Sequence, residues 1–367
     1  MRWKNNLVNG EITRRKMLAT AGASAITAFG VTTSAAREGI EIPYVKSRGE
    51  VLKTRTVPRA WWETELEARA AMKDLAGRYA THPAVSGVSL VNSDRKIAGK
   101  YVSRVEIDVG HEHSVDSFDV PDTDYGVTVG VRQRPPIEYH THSCDDTWCD
   151  TTQYDSLKGG IRLDYSHSST CKVSYDGTDH LMCAAHAVTD CGSTTPSTTV
   201  EHEGTDIGDV VDHDPEQDWA VIEHDGNFDR ISALIAGHEI EVNGYISEQG
   251  LQDMKSNGDY AHHRGAKTCT TKGPVERVGI DLPYDSDCEG QGHYVEIDNC
   301  TYGGDSGAPH YETWADSNGC EWASIVAPHK GGSDGDGGYS VGTAAHEIVD
   351  SNPIEFPGDG AQTTSIC

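Results

Sequence analysis

Between residues 61 and 80 apolar side chains return every three or four positions. Trp62 and Leu66 come first, then Ala68, Met72, Leu75 and Tyr79, with charged residues between them. That period belongs to a helix, and His82-Pro83 must end it, because the residue before a proline avoids the helical region. Three alternating runs follow, at Val88/Leu90, Val105/Ile107/Val109 and Val127/Val129/Val131, each bounded by Gly, Pro or Asp. Alternation predicts strands, so residues 37–131 read as a small α+β unit. Residues 132–157 are polar and proline-bearing, as a linker is. From Lys158 onward the pattern is all-β: short alternating strands broken by Gly, Asp and Asn. Cys171/Val173/Tyr175 and Leu181/Cys183 flank Asp176-Gly177, a two-residue hairpin signal. The last periodic piece, 344–349, predicts a short C-terminal helix.

Charge narrows the partners. The chain has 30 Lys and Arg against 58 Asp and Glu, a formal charge of −28. Such a surface repels nucleic acid and anionic lipid. It suits a high-salt setting, where self-repulsion is screened within a Debye length of about 3 Å at 1 M; an ordinary acidic secreted protein is the alternative. Residues 1–36 read as a targeting segment. Thr13-Arg14-Arg15-Lys16-Met17-Leu18 is a twin-arginine pattern, followed by a mildly apolar Ala/Gly/Thr stretch that ends in Ser34-Ala35-Ala36. Export through that route is expected, with no membrane association afterwards. Ten cysteines in an exported chain point to disulfides.

Candidate chemistry lies in three places. Ala184-Ala185-His186 follows the hairpin, Asp218-Trp219-Ala220-Val221 opens an apolar run, and Gly304-Asp305-Ser306-Gly307-Ala308-Pro309 stands near the end. A serine hydroxyl needs a base, and the base needs an anion to hold its tautomer. Small residues before His186 let its strand end pack tightly. Asp218 at the mouth of a buried strand would be partly dehydrated, so its charge would act strongly on the imidazole. Gly303 and Gly304 permit a turn that aims the N–H groups of Gly304 and Ser306 at one point, an oxyanion hole. Asp305 is expected to be buried and pinned there.

In order and context these motifs resemble the chymotrypsin-like serine peptidases, nearest the alpha-lytic protease and streptogrisin type, over about the last 210 residues. The resemblance implies two Greek-key antiparallel β-barrels closed by a C-terminal helix over residues 158–367, preceded by the small α+β domain. It implies a secreted serine endopeptidase acting on polypeptides, with Ser306 as nucleophile, His186 as general base and Asp218 orienting it. No cofactor is expected. Activity would rise with pH around a midpoint near 7 as a histidine deprotonates. Residues 37–131 would be a propeptide, a folding helper and inhibitor, or else a lasting accessory domain. Two departures stand out: Ala308 in place of a second glycine, and Cys183 where the family has threonine, read as a small buried residue.

The resemblance also suggests bridges between Cys171 and Cys191 and between Cys300 and Cys320; Cys269 with Cys288 is a further pairing, and the rest are undecided. Tyr302, His329, Gly331 and Gly332 would line the substrate pocket. The His329-Lys330-Gly331-Gly332 element resembles glutamate-preferring endopeptidases, which implies that His329 favours an acidic residue before the scissile bond; a surface histidine in a Gly-rich hairpin is the alternative. No metal site is expected. His140, His142, Cys144 and Cys149 fit no zinc-finger spacing, and Asp334-Gly335-Asp336-Gly337 reads as a solvated turn. Competing functions are a silent peptide-binding module on the same fold and an esterase, the latter disfavoured because no Gly-x-Ser-x-Gly elbow is present.

Overall fold

The computed structural model describes residues 38–110, 113–115, 120, 123–134, 148–164, 166–189, 198–281, 292–333 and 339–358. The targeting segment lies outside these residues. The first third contains β1 (Gly39–Ser47), β2 (Glu50–Pro58), α1 (Arg59–Tyr79), β3 (Val85–Ile97), β4 (Lys100–Val109), β5 (Thr123–Asp124) and β6 (Val127–Gln133). Next come β7 (Leu157–Gly159), β8 (Arg162–Leu163), β9 (His167–Tyr175), β10 (Thr178–Cys183), α2 (Ala185–Val188), β11 (Thr199–His202), β12 (Thr205–Asp214), β13 (Trp219–Ile222) and β14 (Ile231–Ile235). The remainder is β15 (Ile240–Ile246), α3 (Glu248–Asn257), β16 (Tyr260–Gly265), β17 (Cys269–Asp281), β18 (Gly292–Ile297), β19 (Pro309–Ala315), β20 (Glu321–Pro328), β21 (Gly331–Ser333), β22 (Tyr339–Thr343), α4 (Ala345–Ser351) and β23 (Ile354–Glu355).

The molecule is mainly β, as the alternating pattern predicts. A seven-stranded sheet runs β11-β12-β13-β10-β9-β23, with β8 on β9, and encloses a core of Leu181, Val200, Ile207, Ala220 and Ile222. The hairpin at Asp176-Gly177 forms, with φ of +48° and +80° and Thr178 paired to Tyr175. Positive φ at both central residues matches the twist of the strands. The larger sheet runs β2-β1-β15-β20-β19-β16-β17-β3-β4-β6-β5, with β18, β22, β21, β14 and β7 attached to its side.

The early strands enter that sheet. β3 pairs antiparallel with β17, from Arg277↔Val91 to Asp281↔Gly87, and β1 meets β15 at Val45↔Ile246. One core cluster contains Ala68, Met72 and Leu75 of α1 together with Val88, Val105, Val275, Val295, Ile297 and Val326. Charges seal the same seam. Arg55 reaches Asp253, Asp259 and Glu312, Lys100 reaches Asp253, and Arg132 spans Asp108 and Glu296. Asp108, Asp253 and Glu296 are almost fully dehydrated, so removing the cation from one of them strands a buried carboxylate at a cost of about 3–5 kcal/mol.

Helix α1 forms with a shifted face. Trp61 and Glu65 are buried at its start, whereas Leu66 is 45% exposed. The buried carboxylate explains the shift: Glu65 accepts from Ser103 N–H at 2.7 Å and from the Ser103 hydroxyl at 2.5 Å, so a polar residue occupies an inward position. The C-terminal helix expected over 344–349 is α4. Helix α3 and the β1–β2 hairpin were not anticipated from the pattern.

Candidate active site

The β9–β10 hairpin delivers the first candidate side chain. β10 ends at Cys183, and the fully buried Ala184 and Ala185 follow, the first capping α2 and the second opening it, so that His186 stands in the first turn of the helix. Asp218 stands in the turn before β13 with φ +54° and is 2% exposed. Its Oδ1 accepts the backbone N–H of His186 at 2.9 Å, and its Oδ2 lies 2.8 Å from His186 Nδ1. The carboxylate therefore holds both the backbone and the ring of one residue, which sets the ring plane and leaves Nε2 facing away. Ser306 Oγ lies 2.8 Å from that Nε2. Three side chains separated by 32 and 120 positions in sequence converge.

Close packing explains the small residues on both sides of the serine. Gly307 has φ +87°, and a Cβ there would come within 2.3 Å of the Ser168 carbonyl and 2.9 Å of Ala184 N. Ser168 ties the turn down: its N–H donates to Ser306 O at 2.9 Å and its hydroxyl donates to Gly304 O at 2.9 Å. Gly304 has φ +113°, and a Cβ there would approach the Trp148 ring at 2.9 Å. Ala308 is fully buried and donates to Asp305 O at 2.7 Å, so a methyl group is accommodated at that position.

Asp305 is the anchor of the turn. It is fully buried, and its oxygens accept Lys267 N–H at 3.1 Å, Thr268 N–H at 3.2 Å, Thr268 Oγ1 at 2.7 Å and Tyr302 N–H at 3.0 Å. His263 Nε2 stands 3.4 Å away. Burial by itself would raise the Asp305 pKa; the His263 ring and the Thr268 hydroxyl outweigh it and hold the carboxyl below its ordinary value. Gly265 is required beside it, since a Cβ there would overlap Asp305 Oδ1 at 1.8 Å.

Of the expected pocket residues, Tyr302 is half-buried, with the Lys267 ammonium 5.0 Å from its ring centre. His329 is 2% exposed, not a surface histidine, and is joined to the turn by bonds from Gly307 N–H to its carbonyl and from its N–H to Ala308 O. Its Nδ1 lies 3.3 Å from His310 Nε2, and the ring of His263 is 4.6 Å from His310 and 5.3 Å from His329. Burial, then the neighbouring His263, push the His329 pKa down to about 3. Gly331 and Gly332 form β21, which pairs with β22 on one side and has no strand partner on the other among the described residues.

The cysteines depart from expectation. Cys171 is free and buried, because β9 carries it into the core between Val173 and Met182, so the bridge to Cys191 does not form; Cys191 itself lies outside the described residues. Cys269 bonds to Cys149 and not to Cys288, which also lies outside them. Cys149 N–H donates to Lys267 O at 3.1 Å, and this pairing brings the two sulfurs together. Cys149 is thereby excluded as a zinc ligand; His140, His142, Cys144 and residues 334–337 are outside the described residues. Cys300 and Cys320 are each disulfide-bonded, yet Cys149–Cys269 is the pair bonded to each other among the described residues. Strand geometry gives the reason. Thr271, opposite His263 and hence near His310, holds Cys300 O at 2.9 Å, whereas Cys320 lies past Ala315, about 17 Å along β19. Cys183 is buried, as read from the sequence, and its pairing, left undecided there, is settled as a free thiol, its pKa raised by burial and by Asp164 and Asp218.

Pattern alone did not bring forward Ser168, Trp148, His263, Thr268 or His310. Each stands isolated in sequence, and only strand register gathers them around the turn. No protein-family model matches this chain, and no curated protein matches it. Among solved structures, the chain is similar to Thermobifida fusca protease A at 18% identity and a TM-score of 0.42, over 56% of this chain and 100% of that one. A Cellulomonas bogoriensis chymotrypsin matches at 15% identity and a TM-score of 0.42, over 56% and 100% of the two chains. A glutamic acid specific serine protease, described as using a histidine triad in substrate binding, matches at 19% identity and a TM-score of 0.42, over 55% and 100%. The chain's structural neighbours are thus chymotrypsin-like bacterial serine proteases.

Proposed function

We propose that this chain is an exported serine endopeptidase. The observation that carries the reading is the unbroken contact from Ser306 Oγ to His186 Nε2, and from His186 Nδ1 to Asp218, at 2.8 Å each. Ser306 attacks the peptide carbonyl as His186 takes its proton; His186 then returns that proton to the leaving amine, and an acyl-serine remains. Water repeats the sequence and frees the enzyme. Asp218 keeps the Nδ1 proton in place and stabilises the imidazolium. The N–H groups of Gly304 and Ser306 receive the developing oxyanion, worth about 3 kcal/mol per donor. Substrate adds as a strand along the open edge of β21.

An acidic side chain before the scissile bond fits His329. If His310 Nε2–H donates to His329 Nδ1, the His329 proton is fixed on Nε2, where it can be donated to a carboxylate. The shared sheet, shared core and buried ion pairs favour residues 39–133 as a lasting part of the enzyme over a discarded propeptide. The twin-arginine pattern supports export, and the charge of −28 supports a high-salt setting.

Ser306→Ala is the test of the nucleophile. The variant should fold as the parent does, fail to cleave casein and resist fluorophosphonate labelling; casein cleavage at the parent's rate would refute the assignment. A peptide panel varied only before the scissile bond tests His329, and best cleavage after Lys, Arg or large apolar residues would remove the acidic preference.

A further inference from the structure

We propose that His293, His346 and Glu347 form a site for a divalent transition metal of the zinc class. His293 is the second residue of β18, and its carbonyl accepts Ala344 N–H at 2.9 Å. The β18–β22 pairing, Tyr294↔Thr343, therefore ends beside the first turn of α4, which brings His346 and Glu347 over His293. His293 Nδ1 is 2.8 Å from His346 Nε2 and 3.5 Å from Glu347 Oε2, and the three ligand atoms lie within 4.8 Å of one another. Gly292, at φ +104°, leaves room for the carboxylate, since a Cβ there would meet Glu347 Cγ and Oε1 at 3.1 Å.

Bonds of about 2.0–2.2 Å in tetrahedral geometry place neighbouring ligand atoms about 3.3 Å apart. The two nitrogens need to separate by roughly half an ångström for that, and the nitrogen–oxygen edge is already near it. Two imidazoles and one carboxylate form the donor set that zinc accepts with a fourth position open to water; calcium and magnesium call for oxygen ligands instead. His293 and Glu347 are half-buried and His346 is buried, so the open position can face solvent.

The surrounding charges set the expected strength. Glu248 of α3 pairs with Arg69 and, at 3.3 Å, with Lys73, both of α1. Two carboxylates, Glu248 and Glu347, thus face two cations, and the local field adds little to the donor atoms. Metallation at His346 Nε2 also leaves the proton on Nδ1, which is buried and has no hydrogen-bond partner among the described residues. Both features hold the affinity to a moderate value. The bound ion would fasten the closing helix α4 to β18, close to the contact between α1 and α3.

Chelator-treated Ser306→Ala protein, which cannot digest itself, is titrated with cobalt(II) and, separately, followed by thermal unfolding with zinc(II). Expected are the visible bands of four-coordinate cobalt at one equivalent and a zinc-dependent rise in Tm. His293→Asn and Glu347→Gln should each weaken cobalt binding by at least about tenfold, while the metal-free Tm of each stays close to the parent's. Absence of the bands, or binding that both variants leave unchanged, would overturn the proposal and reduce the pair to a hydrogen bond between two imidazoles. The readout is spectroscopic and holds whether or not the chain cleaves peptides.

Discussion

Asp305→Asn isolates the group that holds the serine turn. The carboxylate accepts four hydrogen bonds, from Lys267 N–H, Thr268 N–H, Thr268 Oγ1 and Tyr302 N–H, and faces His263 at 3.4 Å. An asparagine oxygen can still serve Lys267 and Thr268 N–H, but its NH2 group then turns toward Thr268 Oγ1 and Tyr302 N–H. The hydroxyl can rotate and accept; the Tyr302 N–H cannot, and is left facing another donor. One charge-assisted bond is lost and His263 loses its buried anion, together about 3–5 kcal/mol. Part of that appears as lower Tm and part as a turn that no longer holds Gly304. An oxyanion donor displaced from its place costs about 3 kcal/mol in the transition state, so kcat/KM should fall by about a hundredfold or more. Peptide hydrolysis and the rate of fluorophosphonate labelling measure the chemical loss, and thermal unfolding in 2 M salt (roughly a 2 Å screening length) measures the stability. A variant that folds and keeps kcat/KM within about threefold of the parent would show that the turn does not depend on Asp305.

Acid should unfold the protein well above the carboxylate range. His329 keeps a pKa of about 3 in the folded state against about 6.5 when unfolded, so its stabilisation is complete above pH 6.5 and is lost as pH falls toward 3, at about 1.4 kcal/mol per pH unit. A Tm that stays level from about pH 7 down to about pH 5, roughly 1.5 units below the unfolded histidine value, would contradict this. Cys149–Cys269 closes a separation of 120 residues, worth roughly 5 kcal/mol on chain-entropy grounds. A nick introduced between residues 151 and 156 should therefore yield two fragments that part on a denaturing gel only after reduction, and parting without reductant would exclude the bridge. The charge of −28 predicts that Tm rises steeply with salt and levels off above about 1 M, where screening reaches about 3 Å; a salt-independent Tm would remove the high-salt reading.

What could be read from the chain in advance was local. Asp176-Gly177 specifies a turn by its own φ preferences, and Ala184-Ala185-His186 and Gly304 to Pro309 are contiguous motifs that can be recognised without knowing the rest of the fold. Distant pairings obey other rules. Cys171 alternates with Val173 on an inward face, and nothing in its spacing from Cys191 reveals that the core needed a small apolar atom there more than a bridge. Glu65 breaks the apolar stripe of α1 because Ser103, on a strand 38 residues later, supplies the donors that make its burial affordable. His263 and His310 look like scattered histidines until β16 and β19 pair at that position, which stacks them behind His329 and beside Asp305. The same register argument governs the early strands. Alternation at Val88 and Leu90 predicts a strand but not its neighbour, and that neighbour is β17, whose first residue, Cys269, is bridged to Cys149 and follows the Lys267 and Thr268 donors that hold Asp305. Through one strand, then, the N-terminal third is mechanically continuous with the serine turn. Cutting it away would expose the β3 edge of β17 from Arg277 to Asp281 and the apolar side of Val275 and Val278.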